Sequence, residues 1–257
     1  MNYCYLVFLV IIGLSIGSFI NAAVYRLKSK QRGLLFGRSI CPSCKKILGV
    51  RDLVPLLSYL FLKGKCRYCK SKIGGHYFWV ELITALAFLG IGLTAQFENI
   101  PFLLWQLLFT AVFIFLASYD FQFGEIPDEI SLPATIVAFA SSFFTLTQTP
   151  LQSLIGLMVG AVFFFCLVWF SKGKWMGGGD IRLGALLGAL LGWQGFLIAL
   201  LFASALGSVI GILQILFTQK KLKSPVPFGP YLALGGYLTL IFGEQIWSWY
   251  FQNLTSI

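Results

Sequence analysis

Two aspartates stand where they could form a catalytic pair. Asp180 ends the stretch MGGGD (residues 176–180), which separates two long apolar runs. An ionisable residue next to segments that could cross a membrane is by default a candidate functional residue. The preceding glycines permit unusual backbone conformations and close approach of another segment, so this acid can face a cavity rather than lipid. Asp120 ends another apolar run in the same way.

A pair of carboxylates in a poorly solvated site can catalyse hydrolysis. Two like charges held close together do not readily ionise at the same time, so such a pair tends to share one proton. One carboxylate then activates a water molecule as a general base, while the protonated one polarises the scissile carbonyl. The apparent pKa values of such carboxylates describe the titration of the pair as a whole and not of either residue alone. Two other interpretations stay open: Asp120 as an interfacial acid at a helix end, and Asp128 as the N-cap of the following helix.

Four cysteines form a second candidate site, in CPSC (residues 41–44) and CRYC (residues 66–69). Twenty-one residues separate the pairs, just beyond the usual range for a four-cysteine zinc site, and each CxxC lets two thiolates reach one tetrahedral ion. Two disulfides are the alternative, but the many basic residues of this segment favour the reducing cytoplasm, where disulfides are rare. The pattern therefore predicts a structural zinc ion that supplies folding energy to a segment too short for a sizeable core. Its ligands would be Cys41, Cys44, Cys66 and Cys69.

The elements that must position these residues are membrane-spanning helices. The chain has 257 residues, of which 58% are hydrophobic and 11% charged, and its mean hydropathy is +0.85. This composition predicts an all-α polytopic membrane protein with about eight transmembrane helices and a small cytoplasmic zinc-binding loop domain. The apolar runs are residues 3–25, 78–96, 100–119, 130–147, 151–170, 181–192, 196–217 and 230–250.

The distribution of positive charge predicts the orientation of the chain. The net charge is +10, and all nineteen Lys and Arg fall in residues 26–72, 172–182 and 220–223. Basic loops stay in the cytoplasm, so the charge needs no nucleic-acid partner. Eight spans place every basic segment inside and both termini outside. The run at 181–192 is short, about 18 Å against a hydrocarbon core of about 30 Å, but a single crossing over 181–217 would put residues 220–223 outside.

With this topology, Asp120 and Asp180 lie at the same, cytoplasmic face. The predicted domains are a first transmembrane helix (1–25), a cytoplasmic four-cysteine loop (26–77) and a transmembrane core (78–257). The first run lacks a basic start and a cleavage site, which indicates a retained helix. Asn21 within it needs a polar partner at membrane depth.

Ordered stretches along nearly the whole chain resemble one family. They are GSFINAAVYRL (17–27), CPSC (41–44), DLVPLLSYLFLKGKCRYC (52–69), which contains CRYC, YFWVEL (77–82), YDFQFGEIPDEISLP (119–133), GGGDIRLGALLG (177–188) and PFGPYLALGG (227–236). The chain resembles the bifunctional type IV prepilin leader peptidases and N-methyltransferases, membrane aspartyl proteases of the GxGD class. It departs from their pattern at His76, where an Arg often precedes the Tyr, and Gly178 fills a variable position.

The resemblance implies that Asp120 and Asp180 are the catalytic aspartates and that the four cysteines hold zinc. It also implies cleavage of type IV prepilins or of pseudopilins of competence or secretion systems, in the bacterial inner membrane with the active site facing the cytoplasm. Methylation of the new N-terminus with S-adenosylmethionine as donor is the second implied activity. No glycine fingerprint of a βαβ nucleotide-binding unit is present; Gly64 and Glu81, at the edge of the cysteine loop, are candidates for the donor site. Glu81 at a helix start stabilised by the helix dipole is the alternative.

Three acids near Asp120 are candidate substrate-binding residues. Glu125, Asp128 and Glu129 would attract the Lys or Arg of the leader, or else serve only as helix-start acids. The stretch PFGP (227–230) either shapes a substrate groove or simply begins a helix at Pro230. A peptidase without methyltransferase activity, a zinc-anchored scaffold and a transporter are the rival functions, although a transporter should show internal repeats. The oligomeric state stays open.

Overall fold

The computed structural model describes residues 3–30, 37–95, 99–144, 148–218 and 227–255. Apart from two isolated β-bridges, the regular structure of these residues is helical, so the all-α prediction is confirmed. The helices are α1 (Tyr3–Lys28), α2 (Leu57–Phe61), α3 (Gly75–Thr94), α4 (Ile100–Phe123), α5 (Asp128–Ser141), α6 (Pro150–Ser171), α7 (Gly178–Thr218) and α8 (Gly229–Thr255). The chain forms two compact units, residues 1–115 and 116–257. The predicted domain boundaries stay a prediction.

Five helices of the described residues are long and apolar enough to cross a membrane. These are α1, α3, α4, α6 and the part of α7 from Gly178 to Gln214. The predicted run at 130–147 corresponds to α5, which is 14 residues long, and residues 145–147 lie outside the described residues. The predicted run at 230–250 corresponds to α8, where Glu244 and Gln245 lower the hydropathy.

In the first unit, small residues bring α1 and α3 close together. A Cβ on Gly13 would lie 2.8 Å from the Cα of Ala85, and one on Gly17 would lie 2.7 Å from the Cα of Glu81. Both distances are shorter than real atoms allow, so the two helix backbones touch at these positions, as small residues permit. The cysteine loop lies between these helices in the chain. The contact places the Glu81 side chain beside the C-terminal half of α1.

In the second unit, α6 and α7 pack through matching glycines. Gly156 and Gly160 on α6 face Gly188 and Gly184 on α7, and a Cβ at any of these positions would collide with the opposite helix. Each pair is spaced four residues apart and therefore lies on one helix face, the arrangement that lets helices approach closely in membranes. This contact fixes the start of α7, which carries Asp180.

Helix α7 reverses direction at Gly192, where φ is +70° and ψ is 176°. Before this residue, Gly184 contacts Phe164 of α6, and Gly192 itself lies against Gly156, which comes about two turns before Phe164 in α6. After it, Phe196 returns to Phe164, with ring centroids 6.2 Å apart. The two halves of α7 are therefore antiparallel. This reversal agrees with the prediction that residues 181–192 and 196–217 are separate runs.

Helix α8 completes the second unit against the second half of α7. Gly235 packs on the backbone at Ala199 and Ala203, where no Cβ would fit. Just before α8, the ring of Phe228 lies 6.2 Å from that of Phe164. These contacts bring the N-terminus of α8 to the same end of the unit as the start of α7. The basic residues Lys220, Lys221 and Lys223 lie outside the described residues.

Candidate active site and metal centre

Asp120 lies in the last turn of α4 and is 7% exposed. The helix ends because Gly124, with φ +67°, donates its N–H to the Asp120 carbonyl at 2.8 Å; a glycine in the left-handed region commonly ends a helix in this way. The chain then runs through Glu125 and the buried Ile126 to Pro127, which has an extended backbone and precedes α5. Because the helix stops here, the Asp120 carboxylate stands at its end.

Asp180 lies in the first turn of α7 and is also 7% exposed. Its backbone N–H donates to the Gly177 carbonyl at 3.2 Å. None of the three preceding glycines has a positive φ, but a Cβ on Gly179 would lie 3.0 Å from the Cβ of Ile126. Gly177 and Gly178 have open space around them. Of the two roles expected for these glycines, unusual backbone conformation and close approach of another segment, the structure shows only the second. Only Gly179 needs to be small, because it packs against Ile126.

The structure brings the two aspartates together. Gly179, next to Asp180, packs on Ile126, which follows Asp120 by six residues, and the two carboxyl groups lie close enough to interact electrostatically, although sixty positions separate them in the chain. A third element completes the group, because the backbone N–H of Gly229 donates to Asp120 Oδ2 at 3.1 Å. A Cβ on Gly229 would lie only 2.5 Å from that oxygen. Two buried carboxylates and one main-chain donor thus converge from α4, α7 and α8.

The sequence interpretation did not assign Gly229 to this group. PFGP (227–230) was expected either to shape a groove or to begin a helix, and α8 does begin at Gly229, followed by Pro230. Pro at the start of a helix loses no hydrogen bond, since the first N–H groups have no partner within the helix. The signal that could have found the contact is the glycine itself, which leaves room for an acceptor beside its N–H.

Asp128 has a different environment from the two buried aspartates. It is the first residue of α5, after the N-cap Pro127, and not the N-cap that its sequence position suggested. Its Oδ1 lies 2.5 Å from Nε of Arg182, and this ion pair is partly exposed. The Arg182 side chain also donates to the Ile126 carbonyl at 3.4 Å. The basic partner of Asp128 was missed because it lies on another helix, two residues after Asp180.

Glu125 is exposed on the turn between α4 and α5, and Glu129 is exposed in the first turn of α5. They belong to the same unit as the two aspartates and lie close to Asp120 along the chain. All three acids predicted to attract a basic substrate are exposed, and Asp128 is held in an ion pair with Arg182.

The four predicted zinc ligands meet in the first unit. Their sulfur atoms all lie within 4.8 Å of one another, and Cys41 Sγ is 3.9 Å from Cys69 Sγ. The four are free thiols, so the disulfide alternative does not describe this structure. Four thiolates at such distances suit a tetrahedral zinc ion. The two CxxC pairs therefore form one candidate metal centre.

The backbone around each CxxC pair folds in the same way. The N–H of Cys41 donates to the Lys46 carbonyl, and that of Cys66 donates to the Ser71 carbonyl, both at 2.9 Å. Within these turns, Lys45 and Lys70 have φ values of 58° and 60°. The turns point both cysteines of each pair to one side, so the two halves of the loop face each other across the sulfur cluster.

The thiols of the cluster differ in pKa in the absence of a metal ion. The Ser71 side chain, 3.1 Å from Cys69 Sγ, and the Ser71 backbone together lower the pKa of Cys69 to about 6. For Cys44, the amide of Lys46 acts to lower the pKa, but desolvation and the neighbouring thiols outweigh it and raise the value to about 11. A divalent cation would favour the thiolate at all four positions, so the donor set fits zinc.

Glu81 lies elsewhere in the first unit, and Gly64 is close to the same region. Glu81 is 9% exposed, and its Oε2 accepts the Leu56 N–H at 2.7 Å. Gly64 has φ +65°, and a Cβ there would lie 3.0 Å from the Tyr59 hydroxyl. Tyr59 and Glu81 both line a cavity of about 210 Å³. Both residues suggested for a donor site are thus near one cavity. Glu81 lines it, and Gly64 contacts Tyr59, which also lines it.

Comparisons with known proteins agree with the resemblance in the sequence. Residues 11–97 match the family model of the bacterial peptidase A24 N-terminal domain, and residues 107–212 match that of the type IV leader peptidase family. Among similar proteins is the prepilin leader peptidase/N-methyltransferase of Aeromonas salmonicida, 35% identical over 285 residues, which cover 98% of this chain and 95% of the relative.

Two further relatives carry the same name. That of Pseudomonas aeruginosa is 33% identical over 273 residues, covering 95% of this chain and 92% of the relative. That of Burkholderia pseudomallei is 31% identical over 270 residues, which cover 94% of this chain and 87% of the relative. No solved structure matches the chain. Together with the five candidate spans, these similarities make the chain a multi-pass membrane protein.

Proposed function

The chain belongs to the type IV leader peptidase family, and on this premise we propose that it removes the basic leader from type IV prepilins or pseudopilins. Asp120 and Asp180 are the catalytic acids. The observation that carries the proposal is the convergence of two buried carboxylates from α4 and α7, with the Gly229 N–H bound to one of them. The relatives are also named N-methyltransferases, and we extend that second activity to this chain.

Hydrolysis requires the two carboxyl groups to take opposite roles. The ionised one removes a proton from a water molecule, whose oxygen attacks the scissile carbonyl carbon, while the protonated one donates a hydrogen bond to the carbonyl oxygen. A proton then passes to the leaving nitrogen as the C–N bond breaks. Burial serves this mechanism, because charge stabilisation is stronger where water is excluded. The Gly229 N–H holds one oxygen of Asp120 in place throughout.

The substrate chemistry fits the charge around the pair. Prepilin leaders are basic segments ahead of an apolar helix, with the cut at their boundary, as the family resemblance implies. The exposed Glu125 and Glu129 offer negative charge beside the turn that carries Asp120, so they attract the leader. The protein acts in the bacterial inner membrane with this face towards the cytoplasm and both termini outside, since that arrangement keeps the basic segments inside.

The cysteine cluster has a structural role in this proposal. Cys41, Cys44, Cys66 and Cys69 hold a zinc ion that folds the cytoplasmic loop. S-adenosylmethionine supplies the methyl group, and the loop contributes to binding it. Asp120 and Asp180 belong to the other compact unit, and this proposal gives them no role in methyl transfer.

Mass spectrometry of a purified prepilin incubated with the protein in liposomes tests both activities. The wild-type protein should cleave the leader, and it should add a methyl group only when S-adenosylmethionine is present. Asp120→Asn and Asp180→Asn should each abolish cleavage, whereas the control Glu244→Gln, an exposed acid on α8, should not. Cleavage that survives either aspartate substitution would refute the pair and make Asp128 the next candidate. Cleavage without a methyl group would leave a peptidase alone.

A further inference from the structure

One residue in the wall of the cavity of the first unit has a buried polar atom without a hydrogen-bond partner among the described residues. Asn21 on α1 is 5% exposed, and its Nδ2 donates to the Tyr77 carbonyl on α3 at 2.9 Å. The other end of the amide, Asn21 Oδ1, is buried and has no hydrogen-bond partner among the residues that the structure describes. Asn21 lines the cavity. A buried acceptor without a partner costs free energy unless a ligand or water supplies a donor.

The walls of this cavity carry both signs of charge and several aromatic rings. Glu81 and Arg26 line it, and both side chains are buried. Arg26 donates to the Gly37 carbonyl at 2.6 Å, and Glu81 is held by the Leu56 N–H at 2.7 Å. Both charged groups are therefore fixed in position. A ligand that carries an ammonium group and a carboxylate would be complementary to such a site.

Aromatic side chains complete the lining. Tyr25, Tyr59, Tyr77 and Phe78 border the cavity, and the rings of Tyr59 and Phe78 lie 5.6 Å apart, tilted by 43°. Aromatic faces attract cations and stack on planar bases. S-adenosylmethionine combines a sulfonium cation, a purine, an ammonium group and a carboxylate, so the aromatic rings, Glu81 and Arg26 each have a counterpart in the donor.

We propose that this cavity binds the methyl donor and that Asn21 Oδ1 accepts a hydrogen bond from the ammonium group at its amino-acid end. The inference rests on the proposed methyltransferase function and deepens it. Asn21 lies one helical turn after Gly17, the residue that packs on the Glu81 backbone, so the acceptor and the Glu81 carboxylate share one region of the wall. Asn21 is a binding residue in this assignment, and Gly64 acts only through Tyr59.

Calorimetric binding of S-adenosylhomocysteine and of methylthioadenosine, which lacks the amino-acid end, tests the assignment on the zinc-loaded, full-length protein. Asn21→Leu should weaken binding of S-adenosylhomocysteine by roughly 10- to 100-fold, the effect of one hydrogen bond to a charged group, and leave methylthioadenosine unchanged. Asn21→Asp, which keeps an acceptor, should retain binding. Ser15→Ala, on an exposed position of the same helix, is the matched control.

Each result decides the question, with zinc content and prepilin cleavage confirming that the variants fold. Unchanged binding of S-adenosylhomocysteine in Asn21→Leu would overturn the inference, and so would an equal loss for both ligands, which would place Asn21 away from the amino-acid end. If the wild-type protein neither binds S-adenosylhomocysteine nor transfers a methyl group, the proposed methyltransferase function itself fails. If the wild-type protein transfers a methyl group but Asn21→Leu binds S-adenosylhomocysteine as well as the wild type does, only the role of Asn21 is refuted.

Discussion

At the scale of single residues, the aspartate pair depends on a glycine from a distant part of the chain. Gly229 contributes its N–H to Asp120 Oδ2 at 3.1 Å, and its missing side chain leaves the space that this oxygen fills. The two requirements act together, because any Cβ would push away the acceptor that the N–H binds. The neighbouring Asp128, by contrast, is paired with Arg182 and partly exposed, which separates it from the buried pair.

Gly229→Ala should therefore impair cleavage without removing a catalytic group. The added methyl group displaces the Asp120 carboxylate, and a misplacement of about 1 Å can cost on the order of 100-fold in rate. We expect kcat for prepilin cleavage to fall by roughly 10- to 100-fold. Gly211→Ala, where a Cβ meets only open space, is the control. Equal cleavage by Gly229→Ala and the wild-type protein would show that this contact does not position Asp120.

Reversing the charge of Glu125 and Glu129 should weaken substrate capture. Both side chains are exposed, so each contributes a modest, salt-dependent attraction to a basic leader. The double substitution Glu125→Lys and Glu129→Lys should raise KM by roughly 3- to 10-fold with kcat nearly unchanged, and the difference should shrink at high salt. Steady-state cleavage of a prepilin at two salt concentrations measures it. Unaltered kinetics, matching those of Glu244→Lys, would leave these acids only a structural role.

At the scale of elements, the cysteine loop shows how a short segment reaches a defined fold. Its two turns repeat the same backbone hydrogen bonds around Cys41 and Cys66, and the four sulfur atoms meet within 4.8 Å. Its regular structure, within the described residues, consists of a short 3-10 helix (Val50–Asp52), the five-residue helix α2 and two isolated β-bridges. Such a segment has little core of its own, so metal binding and folding are coupled.

Loss of zinc should separate the two activities. The wild-type protein should contain about one zinc ion per chain by elemental analysis, and Cys66→Ser, at a buried ligand position, should lose it. Methyl transfer should fall with the metal. Cleavage should persist, because Asp120 and Asp180 lie in the other unit. Cys166→Ser, outside the cluster, should keep both zinc and activity. A zinc-free Cys66→Ser protein with full methyl transfer would contradict this role.

Local patterns predicted most of these elements, and long-range contacts account for what was missed. The apolar runs and the two CxxC pairs are visible within short windows, and the all-α prediction and the cysteine cluster were confirmed. The bond between Gly229 and Asp120 joins residues 109 positions apart, and that between Arg182 and Ile126 joins residues 56 apart. No local pattern encodes such pairings. Asn21 was predicted to need a polar partner, yet only the structure distinguishes its satisfied nitrogen from its unsatisfied oxygen.

At the scale of the whole molecule, the proposed activities map onto separate units. Residues 1–115 contain the cysteine cluster and the cavity, and residues 116–257 contain the aspartate pair. The two family models match residues 11–97 and 107–212, a similar division. The relatives match across nearly the full chain. The proposed cleavage and the proposed methyl transfer thus use two distinct sets of residues. Both sets must face the side of the membrane on which the leader lies.

The reversal at Gly192 makes that orientation testable. If α7 crosses the membrane twice, residues 174 and 227 lie on the cytoplasmic side and residue 194 lies outside. Fusions truncated at residues 174 and 227 should give active β-galactosidase, whereas a fusion at residue 194 should give active alkaline phosphatase, which needs the oxidising exterior for its disulfides. Gly184, before the reversal, and Phe196, after it, both contact Phe164 of α6. The two halves of α7 can contact the same α6 residue in this way only if they are antiparallel, which supports this expectation. Alkaline phosphatase activity at residue 227 would mean a single crossing and would place the start of α8, with Gly229, on the opposite side from the leader that the aspartates must cut.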